Sequence, residues 1–259
     1  MTQIFLRNEL RLLIACGALA LIACFGPAIS QPENYHAFAD QRSALGLPHC
    51  MDVLSNLLFV LMGLLGAYRL RQLPAGSIDR SQRQLSALFF YGLLLASVCS
   101  AWYHWQPDNA SLAVDRLGMT VGFAGLAGLA VADRISARAG AFLAVMLLLL
   151  GPLSVWVWAA TGNFLPWSVY QGGAMLLLLV LAVLKPTADG LTISWGVVIL
   201  IYALAKILEQ ADMQVFNLTG QLISGHSLKH GVAAFAAWPV ISSLVQLGQN
   251  AKQKRRRHL

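Results

Sequence analysis

The chain has 259 residues, of which 58% are hydrophobic and only 11% are charged. Its mean hydropathy of +0.64 lies far above the range of soluble globular proteins. This composition excludes a soluble enzyme or binding domain and indicates an integral membrane protein.

Eight apolar runs are long enough to cross the roughly 30 Å of hydrocarbon in a bilayer. Each run is apolar almost without interruption, which favours α-helices over the short alternating strands of a membrane barrel. No linker, charge block or internal repeat divides the chain, so the sequence predicts one all-α integral membrane protein. In chain order, the runs cover residues 11–29, 53–70, 86–104, 112–132, 139–159, 166–184, 191–208 and 222–246.

The first run has features that cleavable signal peptides share. It has a basic start with Arg7 and Arg11, an apolar centre and, at its end, the small residues of Ala28-Ile29-Ser30. We expect residues 1–30 to stay with the chain, as an N-terminal transmembrane helix or signal anchor.

The net charge of +7 raises the question of a nucleic-acid partner. The basic residues, however, fall at alternate ends of the runs, so that fourteen of them lie on one side if both termini are cytoplasmic. This is the positive-inside pattern of membrane proteins, and it favours contact of the basic tail with anionic lipid over nucleic acid. The fourteen are Arg7, Arg11, Arg69, Arg71, Arg80, Arg83, Arg134, Arg138, Lys185, Lys252, Lys254, Arg255, Arg256 and Arg257.

Several ionisable residues lie inside the apolar runs, where each is costly and is by default a functional candidate. Ser100 and His104 are four positions apart in the third run and share a helix face. Asp115 lies near the start of the fourth run, and His226 and His230 share a face in the eighth. In the predicted topology all five residues lie at similar depth, near the outer surface.

Three histidines that converge in this way form a metal site with one open position. Zinc is the expected ion, since it lowers the pKa of bound water to about 7. Asp115 is then the candidate general base and later acid, and Ser100 is placed to orient water or to donate to an oxyanion. Taken singly, each residue has a plainer interpretation: a helix-packing histidine, an Asp115–Lys229 ion pair, or a small serine at a helix contact.

Other polar residues near the outer ends have simpler explanations. Lys206 and Glu209, spaced i,i+3, can neutralise each other, so we expect a structural role for them and for Asp212. Arg116 is expected to reach the membrane interface or to pair with an outer carboxylate. His36 and His49 lie in the predicted outer segment, residues 31–52, where they could cover the mouth of the site, although surface histidines are the favoured interpretation.

Four short motifs resemble those of a known family. They are SAWYH at 100–104, AVDRLGM around Asp115, GHSLKH at 225–230 and, more weakly, DVLSNLLF at 52–59. In this order and spacing, which covers about residues 52–240, the chain resembles the alkaline ceramidases. Those enzymes fall within a wider superfamily of seven-helix hydrolases that includes the adiponectin receptors.

The resemblance implies zinc ligands at His104, His226 and His230, with Ser100 and Asp115 completing the catalytic site. It also implies a seven-transmembrane-helix bundle, residues 53–249, as the catalytic core, to which the N-terminal transmembrane helix is an addition. Residues 31–52 would form an outer loop segment and 250–259 a basic cytoplasmic tail. The implied reaction is hydrolysis of the amide of a ceramide-like lipid to fatty acid and sphingoid base.

The chain departs from the family at two places. Ser227-Leu228-Lys229 stands where eukaryotic ceramidases have an aromatic-rich stretch, so the exact substrate stays open. Those enzymes also carry an acidic calcium-binding cluster, for which this chain offers only Asp40 and Asp52. Because calcium takes six to eight oxygen ligands, zinc is the one metal that we expect.

Two other function classes compete with a hydrolase. One is a non-enzymatic receptor or sensor in which zinc stabilises the bundle, as the adiponectin-receptor branch suggests. The other is a proton-coupled transporter, which is least favoured because polar residues do not continue through the fifth and sixth runs.

Overall fold

The computed structural model describes residues 2–44, 46–188 and 190–257, and that part of the chain is helical, with two isolated β-bridges and no named strand. The predicted all-α fold is confirmed. In chain order the helices are α1 (Thr2–Phe25), α2 (Cys50–Ser55), α3 (Leu57–Gln72), α4 (Arg80–Trp105), α5 (Asn109–Arg134), α6 (Ala137–Thr161), α7 (Leu165–Ala182), α8 (Trp195–Gln210), α9 (Asp212–Leu218), α10 (Gly225–Phe235) and α11 (Trp238–Arg257).

Seven segments of the described chain are long and apolar enough to cross a membrane, which fits a multi-pass membrane protein. Two of them join consecutive helices: α2 with α3, and α10 with most of α11. The segments are Arg7–Phe25, Cys50–Gln72, Arg80–Trp105, Asn109–Arg134, Ala137–Thr161, Leu165–Ala182 and Gly225–Ala251. That α1 is an addition to a seven-helix core stays a prediction.

The eighth expected run, residues 191–208, is only partly helical. Helix α8 has 16 residues, fewer than the roughly 20 that a bilayer crossing needs. The cause is the buried Asp133, whose carboxylate accepts hydrogen bonds from the backbone of Thr192 (3.0 Å) and the indole of Trp195 (2.7 Å). These contacts hold residues 191–194 outside the helix, so α8 begins only at Trp195.

Helices α4 and α5 approach each other closely because glycines line their contact. A Cβ atom on Gly92 would lie 2.4 Å from the backbone nitrogen of Gly122, and one on Gly125 would lie 2.3 Å from that of Phe89. Small residues allow such close helix packing in membranes. Between the two helices, Asp108 caps α5 reciprocally with Ser111. The turn therefore fixes the end of α4 against the start of α5.

Helix α1 defines the two ends of the bundle. Near its start, Glu9 accepts hydrogen bonds from Ser136 (2.6 Å) and Arg138 (2.7 Å) at the beginning of α6. Just beyond the end of α1, the backbone nitrogen of Ile29 donates a hydrogen bond to the side-chain oxygen of Asn163, which follows the end of α6. Helices α1 and α6 are thus parallel, and one end of the bundle holds Glu9 and Arg138 while the other holds Asn163.

The segment between α1 and α2 folds over the second of these ends. Phe38, Ala39 and Asp40 are buried. Asp40 forms an ion pair with Arg42 at 2.6 Å, which holds the pKa of the Asp40 carboxyl below its usual value. Arg42 also donates to the carbonyl of Leu222, so the segment is tied to the loop that precedes α10. The described residues of the predicted outer loop therefore cover this end of the bundle.

Candidate metal centre

The three histidines expected from sequence lie together in the structure. One ring nitrogen from each of His104, His226 and His230 falls within 4.8 Å of the others, and all three residues are buried. The Nε2 atoms of His104 and His226 are 3.3 Å apart. We call these residues the histidine triad, and this group can bind a metal ion.

Local structure accounts for the position of each ring. His104 lies in the last turn of α4, where the Gly-lined contact with α5 holds it. Helix α10 begins at Gly225, and Ser224 caps it by accepting from the backbone nitrogen of Ser227 (2.9 Å). A Cβ atom on Gly225 would lie 2.3 Å from the carbonyl oxygen of Leu208, so glycine is needed for α10 to start against α8. His226 and His230 then fall on one face of the first two turns.

The separation of two of the three nitrogens fits tetrahedral zinc. Two nitrogens bound at roughly 2.0–2.1 Å with a tetrahedral angle between them lie about 3.3–3.4 Å apart. The 3.3 Å between His104 and His226 matches this separation. The Nδ1 atom of His104 is buried and has no hydrogen-bond partner within the described residues.

A serine that the sequence analysis missed orients His230. Its Nδ1 lies 2.7 Å from the hydroxyl of Ser55, which in turn donates to the carbonyl of Asp52 at 3.0 Å. Because that hydroxyl proton is used on the carbonyl, Ser55 accepts from Nδ1–H of His230. The Nε2 atom of His230 is then left unprotonated, and an unprotonated ring nitrogen is the form that binds metals. The only sequence signal for Ser55 was the weak DVLSNLLF motif.

Asp52 fastens α2 to the start of α10. Its Oδ1 atom accepts from Ser227 (2.6 Å) and Ser224 (3.2 Å). Asp52 is fully buried and its Oδ2 atom has no partner among the described residues. Asp40, by contrast, is paired with Arg42. The two carboxylates that could have suggested calcium therefore have separate partners in the protein.

Asp115 and Ser100 contact each other in the protein interior, and that they complete a catalytic site with the triad stays a prediction. Both are buried, and the Ser100 hydroxyl is a hydrogen-bond partner of the Asp115 carboxyl group. The Oδ1 atom of Asp115 is inaccessible and has no partner in the described chain. Asp115 is also close enough to Lys229 for the two to interact electrostatically. Oδ1 of Asp115 is therefore an unused acceptor in the protein interior.

Lys229 contacts the triad directly, which the sequence analysis did not foresee. Its Nζ atom lies 3.0 Å from Nε2 of His226 and 3.0 Å from Oε1 of Glu209. Lys206 pairs with the other oxygen of Glu209, which confirms the expected Lys206–Glu209 pair. The ion pair considered between Lys229 and Asp115 is replaced by Lys229–Glu209.

Asp212 has a structural role, as expected. Its two oxygens accept from the backbone nitrogens of His226 (2.7 Å) and Ala39 (2.9 Å). It therefore joins the start of α10 to the outer segment.

Arg116 is buried inside the described part of the bundle and forms an ion pair with no carboxylate there, so the expected pairing with an outer carboxylate is wrong. It is 1% exposed and its guanidinium lies 4.0 Å from the ring centre of Trp158 and 4.8 Å from that of Phe164. It also donates to the side chain of Gln31 at 2.7 Å. Cation–π contacts compensate for the burial, and Arg116 fixes the outer segment to the bundle.

Aromatic and histidine residues of the outer segment cover the triad. The ring of Phe38 is centred 4.7 Å from that of His104 and 4.8 Å from that of His226. His49 bonds the carbonyl of His104 (3.0 Å), and His36 bonds the hydroxyl of Tyr103 (2.9 Å). His36 and His49 are half-buried parts of this cover and not simple surface residues.

No protein-family model matches this chain, and no curated protein matches it, so its activity is inferred from the residues of the site.

Proposed function

We propose that the protein is a zinc-dependent intramembrane hydrolase that cleaves the amide bond of a ceramide-like lipid to a fatty acid and an amine. The observation that carries the proposal is the meeting of His104, His226 and His230. The buried Asp115 interacts with Lys229, whose ammonium contacts His226. The resemblance of the same motifs to alkaline ceramidases supports the choice of reaction.

The donor set favours zinc. Three neutral imidazoles offer nitrogen ligands and no charge, which suits zinc better than the oxygen-seeking ions Mg²⁺ and Ca²⁺. Three protein ligands also leave a position for water or substrate, as in catalytic zinc sites. When bound, zinc supplies Lewis acidity and lowers the pKa of a water molecule in the site to about 7.

Asp115 would carry the proton transfers, and Ser100 would orient it. Hydrolysis adds the hydroxyl of water to the acyl carbon, breaks the C–N bond and gives the remaining proton to the amine nitrogen. Asp115 has a free oxygen to accept the proton from water and to return it to that nitrogen. Ser100 holds the carboxyl group in place through their hydrogen bond.

The membrane setting suits a lipid substrate. The triad lies where α4 ends and α10 begins, at the end of the bundle opposite Glu9 and Arg138. We infer that this is the non-cytoplasmic end and that both termini are cytoplasmic, because Arg134 and Arg138 lie at the other end, as the positive-inside rule requires. The partners would then be the membrane and its lipids, with no nucleic acid.

A receptor or sensor with a structural zinc site is the second candidate. The observation that favours it is the cover on the triad, since Phe38 is only 6% exposed and packs on two of the histidines. A sealed metal position is typical of structural sites.

The test is a hydrolysis assay on purified protein in lipid bilayers. Zinc-loaded protein should release fatty acid from a long-chain ceramide or a related lipid amide, lose this activity to a chelator and regain it with added zinc. Bound zinc with no release of fatty acid from any long-chain lipid amide would favour the receptor.

A further inference from the structure

Lys229 places a positive charge next to the triad, and a neutral substrate gives no reason for that charge. It lies between the two histidines of α10, with its side chain 19% exposed, and its ammonium is within hydrogen-bonding distance of the ring nitrogen of His226. A cation next to a metal position repels the ion, and a charged group within a membrane helix is costly. Such a group needs compensation by acceptors and negative charge.

Glu209 supplies only part of that compensation. Its carboxylate is shared between Lys229 and Lys206, so two ammonium groups face one carboxylate. Asp115 is near Lys229, but it is the residue proposed to exchange protons with water. A divalent ion in the triad adds further positive charge to this group.

Metal binding also removes one of the acceptors of Lys229. In the structure its ammonium donates to Glu209 and to the lone pair of His226 Nε2. That lone pair is the one that would bind the ion, so Lys229 keeps Glu209 and loses His226. An ammonium group has three donors. The loaded site therefore contains a lysine with unused donors beside the position where substrate binds.

We propose that Lys229 binds an anionic group on the amine side of the scissile amide, so that the substrates are acidic lipid amides such as N-acyl amino acids. This inference rests on the proposed function and narrows its substrate class. A carboxylate one or two bonds from the amide nitrogen would accept from the free donors of Lys229 and offset the positive charge. The hydroxyls of a ceramide headgroup would accept a hydrogen bond from Lys229 but would not offset its charge.

The experiment compares two substrates that differ only in this group, N-palmitoylglycine and N-palmitoylethanolamine, with zinc-loaded full-length protein in bilayers. We expect wild type to favour the acidic amide in kcat/KM by about tenfold or more, the scale of a charge-assisted hydrogen bond. Lys229→Met should remove this preference, mainly through KM, while Lys229→Arg keeps most of it.

Lys206→Met is the matched control, because Lys206 also pairs with Glu209 but touches no histidine of the triad; it should keep the preference. Equal zinc content among the variants shows that the site is intact. The inference would be overturned if wild type cleaves the neutral amide as well as the acidic one, and this result does not depend on whether Lys229→Met folds. A folded Lys229→Met protein that keeps the preference for the acidic amide would overturn it too. Cleavage of neither amide, nor of ceramide, would instead contradict the proposed function.

Discussion

The Nε2 atoms of His104 and His226 lie 3.3 Å apart although 122 positions separate the two residues in the chain. One histidine ends α4 and the other begins α10, so the contact depends on how the whole bundle packs. In an apolar interior, two imidazole nitrogens face each other at this distance when a shared ion or a shared proton joins them. This contact is the basis of the proposed metal site, and the predictions below test its parts.

Ser55→Ala should weaken zinc binding by about 10- to 100-fold, the usual effect of losing a hydrogen bond on a metal-binding histidine. The reason is that Ser55 fixes His230 through its Nδ1 atom. Competition with a zinc-binding dye measures the change. Ser242→Ala is the control, since Ser242 bonds only Pro239 of its own helix among the described residues. Equal zinc affinity in the two variants would contradict the assignment of Ser55.

Asp115→Asn should lower kcat for lipid-amide hydrolysis by about 10²- to 10⁴-fold, the range for loss of a general base. The amide keeps the shape of the carboxyl group and a hydrogen bond to Ser100, so zinc content should not change. Rates of fatty-acid release and metal analysis on the same sample check both points. If wild type shows no activity and Asp115→Asn mainly lowers the thermal stability, Asp115 has a structural role instead.

Phe38→Ala should speed the removal of zinc by a water-soluble chelator. Phe38 covers His104 and His226, and its loss opens that side of the site to water. The half-time of zinc loss is the measurement. Phe235→Ala serves as control because Phe235 is 51% exposed on α10 and stacks on Trp238. An unchanged half-time in Phe38→Ala would mean that the outer segment does not close the site.

Arg116→Lys should destabilise the protein by roughly 2 kcal/mol, the value of a desolvated cation–π contact, although the charge is kept. Lysine lacks the planar group that stacks between Trp158 and Phe164 and bonds Gln31. Thermal unfolding in detergent, compared with Arg138→Lys at a side chain that is 79% exposed, gives the size of the effect. Equal melting temperatures would contradict the role of Arg116 as an anchor.

The membrane helices could be predicted from sequence because hydrocarbon thickness sets their length and forces apolar composition. The meeting of His104 with His226 and His230 also followed, since the alternating direction of the spans places their ends at one depth. Helix α8 was the exception. Its apolar run includes residues 191–194, and only the structure shows that Asp133 holds them in a loop.

The contacts that surround the triad could not be predicted in the same way. Ser55 reaches His230 from a helix 175 positions away, and Lys229 turns to Glu209 and His226 and not to Asp115. Such contacts depend on side-chain rotamers and on the path of the outer segment, which no periodic pattern encodes. Arg116 misled the sequence analysis because its aromatic partners come from three separate parts of the chain.

Zinc stoichiometry of the purified protein tests the central claim most directly. We expect about one zinc ion per chain in wild type and in His36→Ala/His49→Ala, which removes two histidines outside the triad, and almost none in His226→Ala/His230→Ala. A His226→Ala/His230→Ala protein that remains folded and binds as much zinc as wild type would contradict the account.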